Sequence, residues 1–145
     1  MWKFEYSVEC QASRDCAWRF WSDVDNWPAV DPSVESVKLD GLFMAGTKGM
    51  TKPRGLEPVE WRLAEVQEYS RARIEIPAPG TVLTCLWIFE DTLNGGTSIT
   101  QQCSLEGEQA VDYAGTIGSE LEQGIPQAMR RLADAMMKVT SNKLS

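Results

Sequence analysis

Histidine is absent from the 145 residues. That gap removes Ser-His-Asp and Cys-His nucleophile pairs, the two-histidine iron triad and nearly all catalytic zinc. Any catalysis falls to carboxylates, tyrosine, lysine, thiols or backbone groups. The cysteines Cys10, Cys16, Cys85 and Cys103 form no C-x-x-C motif, and no histidine is there to complete a mixed zinc site. No metal and no cofactor is expected. Long apolar runs are missing too. VLTCLWIF is among the longest, far below the roughly 20 residues of a membrane span. The N-terminus MWKFEYSVEC is charged and alternating and lacks the apolar segment of a secretory signal, so a cytoplasmic location is expected. Positive charge is scarce: 14 basic against 21 acidic residues, a net charge of −7. Lys48, Lys52 and Arg54 form one small group and Arg130 and Arg131 another. Without a concentrated positive field, nucleic acid and anionic membrane are not expected partners. Lys48 to Arg54 reads as a solvated hairpin tip.

What is present suffices for one domain spanning residues 1–145. A chain of this length buries roughly 68–70% of its unfolded surface. The stretch SRDCAWRFWSDVDNWPAVDP concentrates Trp18, Trp21 and Trp27 among Asp15, Asp23, Asp25 and Asp31. A binding cage and a packing signature are both conceivable, and packing is the expectation. The three rings anchor small helices on the end of a sheet, and the aspartates cap or face solvent. No second carboxylate pair stands where a glycosidase would need one.

Alternation makes Lys3 to Ala12 a half-buried strand, with Phe4, Tyr6, Val8 and Cys10 on one face. Ser13 reads as an N-cap and Asp15 favours the positive helix end. Ala17, Phe20, Trp21 and Val24 recur at helical spacing, and Pro28 and Pro32 bound the next short turn. From Val34 to Leu105 the period is mostly two. The strands are Val34–Asp40, Thr47–Lys52, Pro58–Val66, Arg71–Ile76, Thr81–Glu90 and Thr97–Leu105, with Asn94-Gly95-Gly96 as a hairpin turn. From Tyr113 to Val139, Ile117, Leu121, Ile125, Met129, Leu132, Met136 and Val139 draw one helical stripe. Pro126 predicts a kink near Gly124. Sequential strands with short turns favour a meander, against which the helix buries its stripe.

The chain resembles the START-like superfamily, also called SRPBCC or Bet v 1-like, in its bacterial polyketide cyclase/dehydrase branch. The resemblance is carried by Ser13, Trp18, Asp23 and Trp27-Pro28, then Pro32-Ser-Val-Glu-Ser-Val-Lys-Leu-Asp-Gly41, Gly95-Gly96-Thr97, Gly107 and the long last helix. Each piece is weak alone; their order spans about 135 residues. It implies an α+β helix-grip fold. A curved antiparallel sheet of about six to seven strands, with two short N-terminal helices, holds one long C-terminal helix over a cavity.

The resemblance also implies that a ligand lies between the concave sheet face and that helix. Inward parity then offers Tyr6, Val8, Val59, Trp61, Leu63, Ile74, Ile76, Ile99, Gln101 and Cys103, with Trp87 and Phe89 from the ambiguous Thr81–Glu90 strand. The helix adds Ile117, Leu121, Ile125 and Met129. This lining suits a hydrophobic or aromatic small molecule, lipid- or polyketide-like. Tyr6 as general acid, helped by Gln101, are the catalytic candidates for the alternative, a polyketide aromatase/cyclase or related lyase. A third reading is a protein-interaction module like co-chaperone or toxin relatives. Its support is the second apolar face of Thr81–Glu90, formed by Val82, Leu86 and Ile88, which a homodimer contact or an ordinary buried edge would cover. Filling of the cavity by Trp61, Trp87 and Met129 would favour that third reading; a roomy cavity exposing Tyr6 and Gln101 would favour the first two. Cys85 and Cys103 fall opposite each other and are expected as buried thiols.

Overall fold

Seven antiparallel strands form one sheet in the computed structural model, in the order β1-β7-β6-β5-β4-β3-β2. Backbone is described for residues 2–144 and side chains for 2–138. The strands are β1 (Trp2–Cys10), β2 (Val34–Leu39), β3 (Lys48–Pro53), β4 (Val59–Gln67), β5 (Arg71–Ala78), β6 (Thr81–Asp91) and β7 (Thr97–Glu106). Each was legible from its alternation, and the boundaries move by one or two residues. Helix α1 (Arg14–Ser22), a 3-10 turn (Val24–Asn26) and α2 (Trp27–Val30) separate β1 from β2. After β7 come α3 (Ala110–Tyr113), a π-helical turn (Ala114–Gly118) and α4 (Ser119–Leu144). This is the helix-grip architecture.

Local chemistry starts and stops these elements as expected. The Ser13 side chain accepts from the Cys16 amide at 3.3 Å and caps α1. Asp23 accepts from the Asp25 amide at 3.2 Å to open the 3-10 turn. Gly95 turns the β6–β7 hairpin at φ +84°, a region closed to most side chains.

Register produces the concave face. Tyr6, Gln101, Trp87, Ala72 and Val66 form one row across five strands. Phe4, Cys103, Cys85, Ile74 and Leu63 form the next. A bulge between Leu63 and Glu65 flips the parity of β4, so Glu65 turns outward between Arg71 and Arg73, at 3.5 and 3.6 Å. Such bulges increase local twist, as a sheet curling around a helix requires.

The outer face resolves the ambiguity of β6. Val82, Leu86 and Ile88 point away from the helix but are only half-exposed. Arg73 and Gln102 flank Leu86, and Arg71 and Thr100 flank Ile88. The aliphatic stems of such arginines cover apolar neighbours while their heads stay wet. The partial burial of Val82, Leu86 and Ile88 on the outer face accords with an ordinary buried edge. Lys48 and Lys52 also differ from the expected hairpin tip. They lie within β3, paired with Glu60 at 3.8 Å and Glu35 at 3.7 Å, and the turn follows at Arg54.

Pro126 lies inside the last helix. The helix runs on through it, and a departure from α geometry falls at Ala114–Gly118. Pro126 removes the amide that would bond the Glu122 carbonyl, and Glu122 is exposed, so water can satisfy that carbonyl. Ile125, Met129, Leu132, Ala133 and Met136 are buried, while Ile117 and Leu121 are half-buried. Val139, at the end of the expected stripe, lies outside the described side chains.

Candidate ligand cleft

Between the inner rows and α4, most space is filled by side chains. Trp61, Leu63, Ile74, Phe89, Cys103, Ile125 and Met129 are buried among one another. The α1–α2 corner fills its end of the sheet with aromatics. The Trp21 ring centroid lies 5.0 Å from Trp87, 5.3 Å from Phe89 and 5.3 Å from Phe43. Trp18 meets Phe89 edge-on at 5.2 Å, and Trp27 stacks on Trp61 at 5.5 Å. The tryptophans of the second segment are therefore packing residues. The indole of Trp27 also donates to the Trp21 carbonyl at 2.7 Å, tying α2 to α1.

The filling is less complete elsewhere on the inner face. Ile76, Leu83 and Trp87 point inward from β5 and β6, both central strands, yet remain half-exposed. On the last helical segment, Ile117 and Leu121 are half-exposed as well. A Cβ on Gly115 or Gly124 would meet nothing within 4 Å, so these glycines do not mark close packing. Gly118 does: a Cβ there would lie 2.8 Å from the Trp2 indole nitrogen. The helix is thus closely packed on β1 at Gly118. Two open recesses of about 760 and 380 Å3 lie on the outer face of the sheet, among charged residues such as Arg73, Glu75 and Glu60.

The two polar candidates are brought side by side by register but are not coupled. Tyr6 sits on edge strand β1, where its hydroxyl accepts from Arg130 Nη1 at 2.9 Å. Arg130 of α4 was missed in the sequence because nothing marks which flank of a helix meets an edge strand. A second tie runs from the Trp2 indole to Glu122, at 2.8 Å. Gln101, 9% exposed, donates instead to the Cys103 sulfur at 3.4 Å. Trp61 directs its indole N–H to the Thr51 hydroxyl at 2.8 Å. Val59 begins β4 at the sheet margin and is 38% exposed, so it does not line the interior.

Cys10, Cys85 and Cys103 are buried and in the thiol form. Cys85 and Cys103 touch, sulfur to sulfur, at 3.1 Å. The hydrogen bond with Cys85, then burial, pushes the Cys103 thiol far up; the same bond favours ionisation at Cys85. Burial also pushes the Cys10 thiol up. Its folded state therefore holds a proton that the unfolded state gives up at about pH 8.5. That contribution to stability falls as pH rises through the ordinary thiol range. Native-state alkylation should accordingly modify half-buried Cys16 first and spare Cys10 at pH 8; peptide mapping showing equal rates at both would contradict this burial. Among the described residues, no group of three or more cysteine, aspartate or glutamate side chains could hold a metal ion.

A helix-grip domain belongs to a class defined by fold rather than by one chemistry. The sequence family described as polyketide cyclase/dehydrase and lipid transport matches residues 1–139, and the chain belongs to that family. Among solved structures, Ara h 8.0201 superposes with a TM-score of 0.77 at 12% identity, covering 94% of this chain and 98% of that one. Norcoclaurine synthase from Thalictrum flavum gives 0.73 at 16% identity, covering 96% and 86%. Protein NE0264 from Nitrosomonas europaea gives 0.75 at 16%, covering 97% and 96%. These likenesses establish the Bet v 1-like fold. No curated protein matches the sequence. Among the described residues no helix is long and apolar enough to cross a membrane.

Proposed function

We propose that this chain binds a hydrophobic or aromatic small molecule, lipid- or polyketide-like, between the sheet and the first half of α4. The observation that carries the reading is the partial exposure of Ile76, Leu83 and Trp87. Inward residues of central strands stay accessible only where the layer above leaves room, and Ile117 and Leu121 of the last helical segment are half-exposed too. Tight filling at Trp61 and Met129 confines the proposed cleft to this part of the inner face. The family's lipid transport and cyclase descriptions agree with an apolar ligand. Catalysis there would need an acid or base inside the cleft, whereas the Tyr6 hydroxyl is engaged by Arg130 at the β1 edge. Binding without turnover is therefore the reading preferred over the aromatase/cyclase one.

Titration with the neutral fluorescent dye N-phenyl-1-naphthylamine tests it. The expected result is saturable, one-site binding. Leu121→Gln should weaken it about tenfold, the equivalent of about 1.4 kcal/mol. A wild-type protein that shows no saturable binding, and whose organic extract from the producing cells contains no stoichiometric small molecule, would overturn the proposal.

A further inference from the structure

We propose that Cys85 and Cys103 are a modification site: a dithiol that a hydroperoxide oxidises to a disulfide joining β6 to β7. This does not depend on the ligand reading, and three observations converge on it. The two residues are direct register partners in adjacent antiparallel strands. Their sulfurs are already in contact at 3.1 Å. The side-chain amide of Gln101 donates to the Cys103 sulfur at 3.4 Å, placing a neutral donor beside the pair where negative charge on sulfur would form.

The backbone spacing permits the bond. Directly opposed residues of an antiparallel pair have Cα atoms about 4.5–5.5 Å apart. A disulfide accepts roughly 4.4–6.8 Å. Closing the bond therefore asks for a movement of side chains and not of strands. Burial selects the oxidant. Both cysteines are buried, which excludes a bulky disulfide such as oxidised glutathione from in-line attack. Hydrogen peroxide is little larger than water.

The chemistry balances within the pair. The Cys85 sulfur, as thiolate, attacks one peroxide oxygen. The O–O bond breaks, an S–O bond forms, and hydroxide leaves and takes up the proton that Cys85 gave up. The Cys103 sulfur then attacks the Cys85 sulfur. The S–O bond breaks, the disulfide forms, and hydroxide departs with the Cys103 proton as water. Two thiols and one hydrogen peroxide give one disulfide and two waters. Sulfur is oxidised and peroxide oxygen reduced. Because the second thiol is already in contact, the sulfenic acid should be trapped before a second peroxide can carry it further.

Peptide mapping reads this directly. Residues 74–129 contain no lysine or arginine, so trypsin leaves both cysteines on one fragment, and cleavage before Asp91 separates them. Native protein is treated with hydrogen peroxide, then unfolded, alkylated and digested with both proteases. The expected result is a fragment lighter by two hydrogen atoms, whose halves stay joined after cleavage at Asp91 and part on reduction with dithiothreitol. Unmodified Cys85 and Cys103 after oxidation of Cys16 would overturn the proposal, as would sulfinic acid at either position without a joined product. Cys103→Ser is expected to halt oxidation of Cys85 short of any bond. If that variant fails to fold, the wild-type map alone decides.

Discussion

Replacing Trp21 by alanine is expected to lower the unfolding free energy by about 3–5 kcal/mol, the range measured for large aromatic truncations in cores. Trp21 is 2% exposed and occupies the centre of the aromatic corner. Its ring touches Trp18, Trp27, Phe43, Trp87 and Phe89, with centroids between 5.0 and 6.0 Å. These partners come from α1, α2, the β2–β3 loop and β6, so one deletion loosens four parts of the fold. None can collapse into the space without abandoning its own contacts, and the cavity term therefore adds to the lost transfer term. For a domain stable by about 5–15 kcal/mol, that is a large fraction. Urea unfolding followed by far-ultraviolet circular dichroism would measure it. An unchanged midpoint would mean that the corner is not the keystone its contacts indicate.

The second large effect is expected at Gly49, a buried glycine inside β3. A Cβ there would lie 2.3–2.5 Å from the benzo ring of Trp61. That ring cannot swing aside freely: its nitrogen is bonded to Thr51, and Trp27 stacks on it at 5.5 Å. Gly49→Ala should therefore cost about 1–3 kcal/mol, as overpacking does elsewhere. The double variant Gly49→Ala with Trp61→Leu should recover part of the loss, because removing the ring opens the space that the methyl group needs. Single and double variants compared in one denaturation series would show this coupling. Additive losses would contradict direct contact as the cause.

Much of the fold was legible because its signals are local. The alternation of Lys3 to Ala12 and the cap at Ser13 each need only neighbours in sequence, and both stand in the structure. The inward parity of Cys85, Trp87 and Phe89 could be assigned only by likeness to a family, since Val82, Leu86 and Ile88 are as apolar as the inner set. The deciding fact was cross-strand: Arg71 and Arg73 lie beside the second set and can cover it.

The candidate site was less legible. Parity correctly placed most of the lining on the concave face, but it could not say which part was packed solid. Trp61 and Trp87 have the same residue type and the same inward parity, yet one is buried and the other half-exposed. The difference comes from Trp27 and Gly49, both remote in sequence. Pro126 marks a position within the last helix and not its end: α4 runs on through it to Leu144.

From its residues alone the chain determined its element order, the inner and outer faces of most strands and the exclusion of histidine chemistry. These follow from side-chain periodicity and composition, which every residue carries with it. Tertiary structure alone decided that Tyr6 would meet Arg130 and that Leu121 would stay half-buried. Each of these depends on how far α4 stands from the sheet along its length. That distance is the sum of side-chain volumes contributed by elements distant in sequence, and it is set only when all of them have packed.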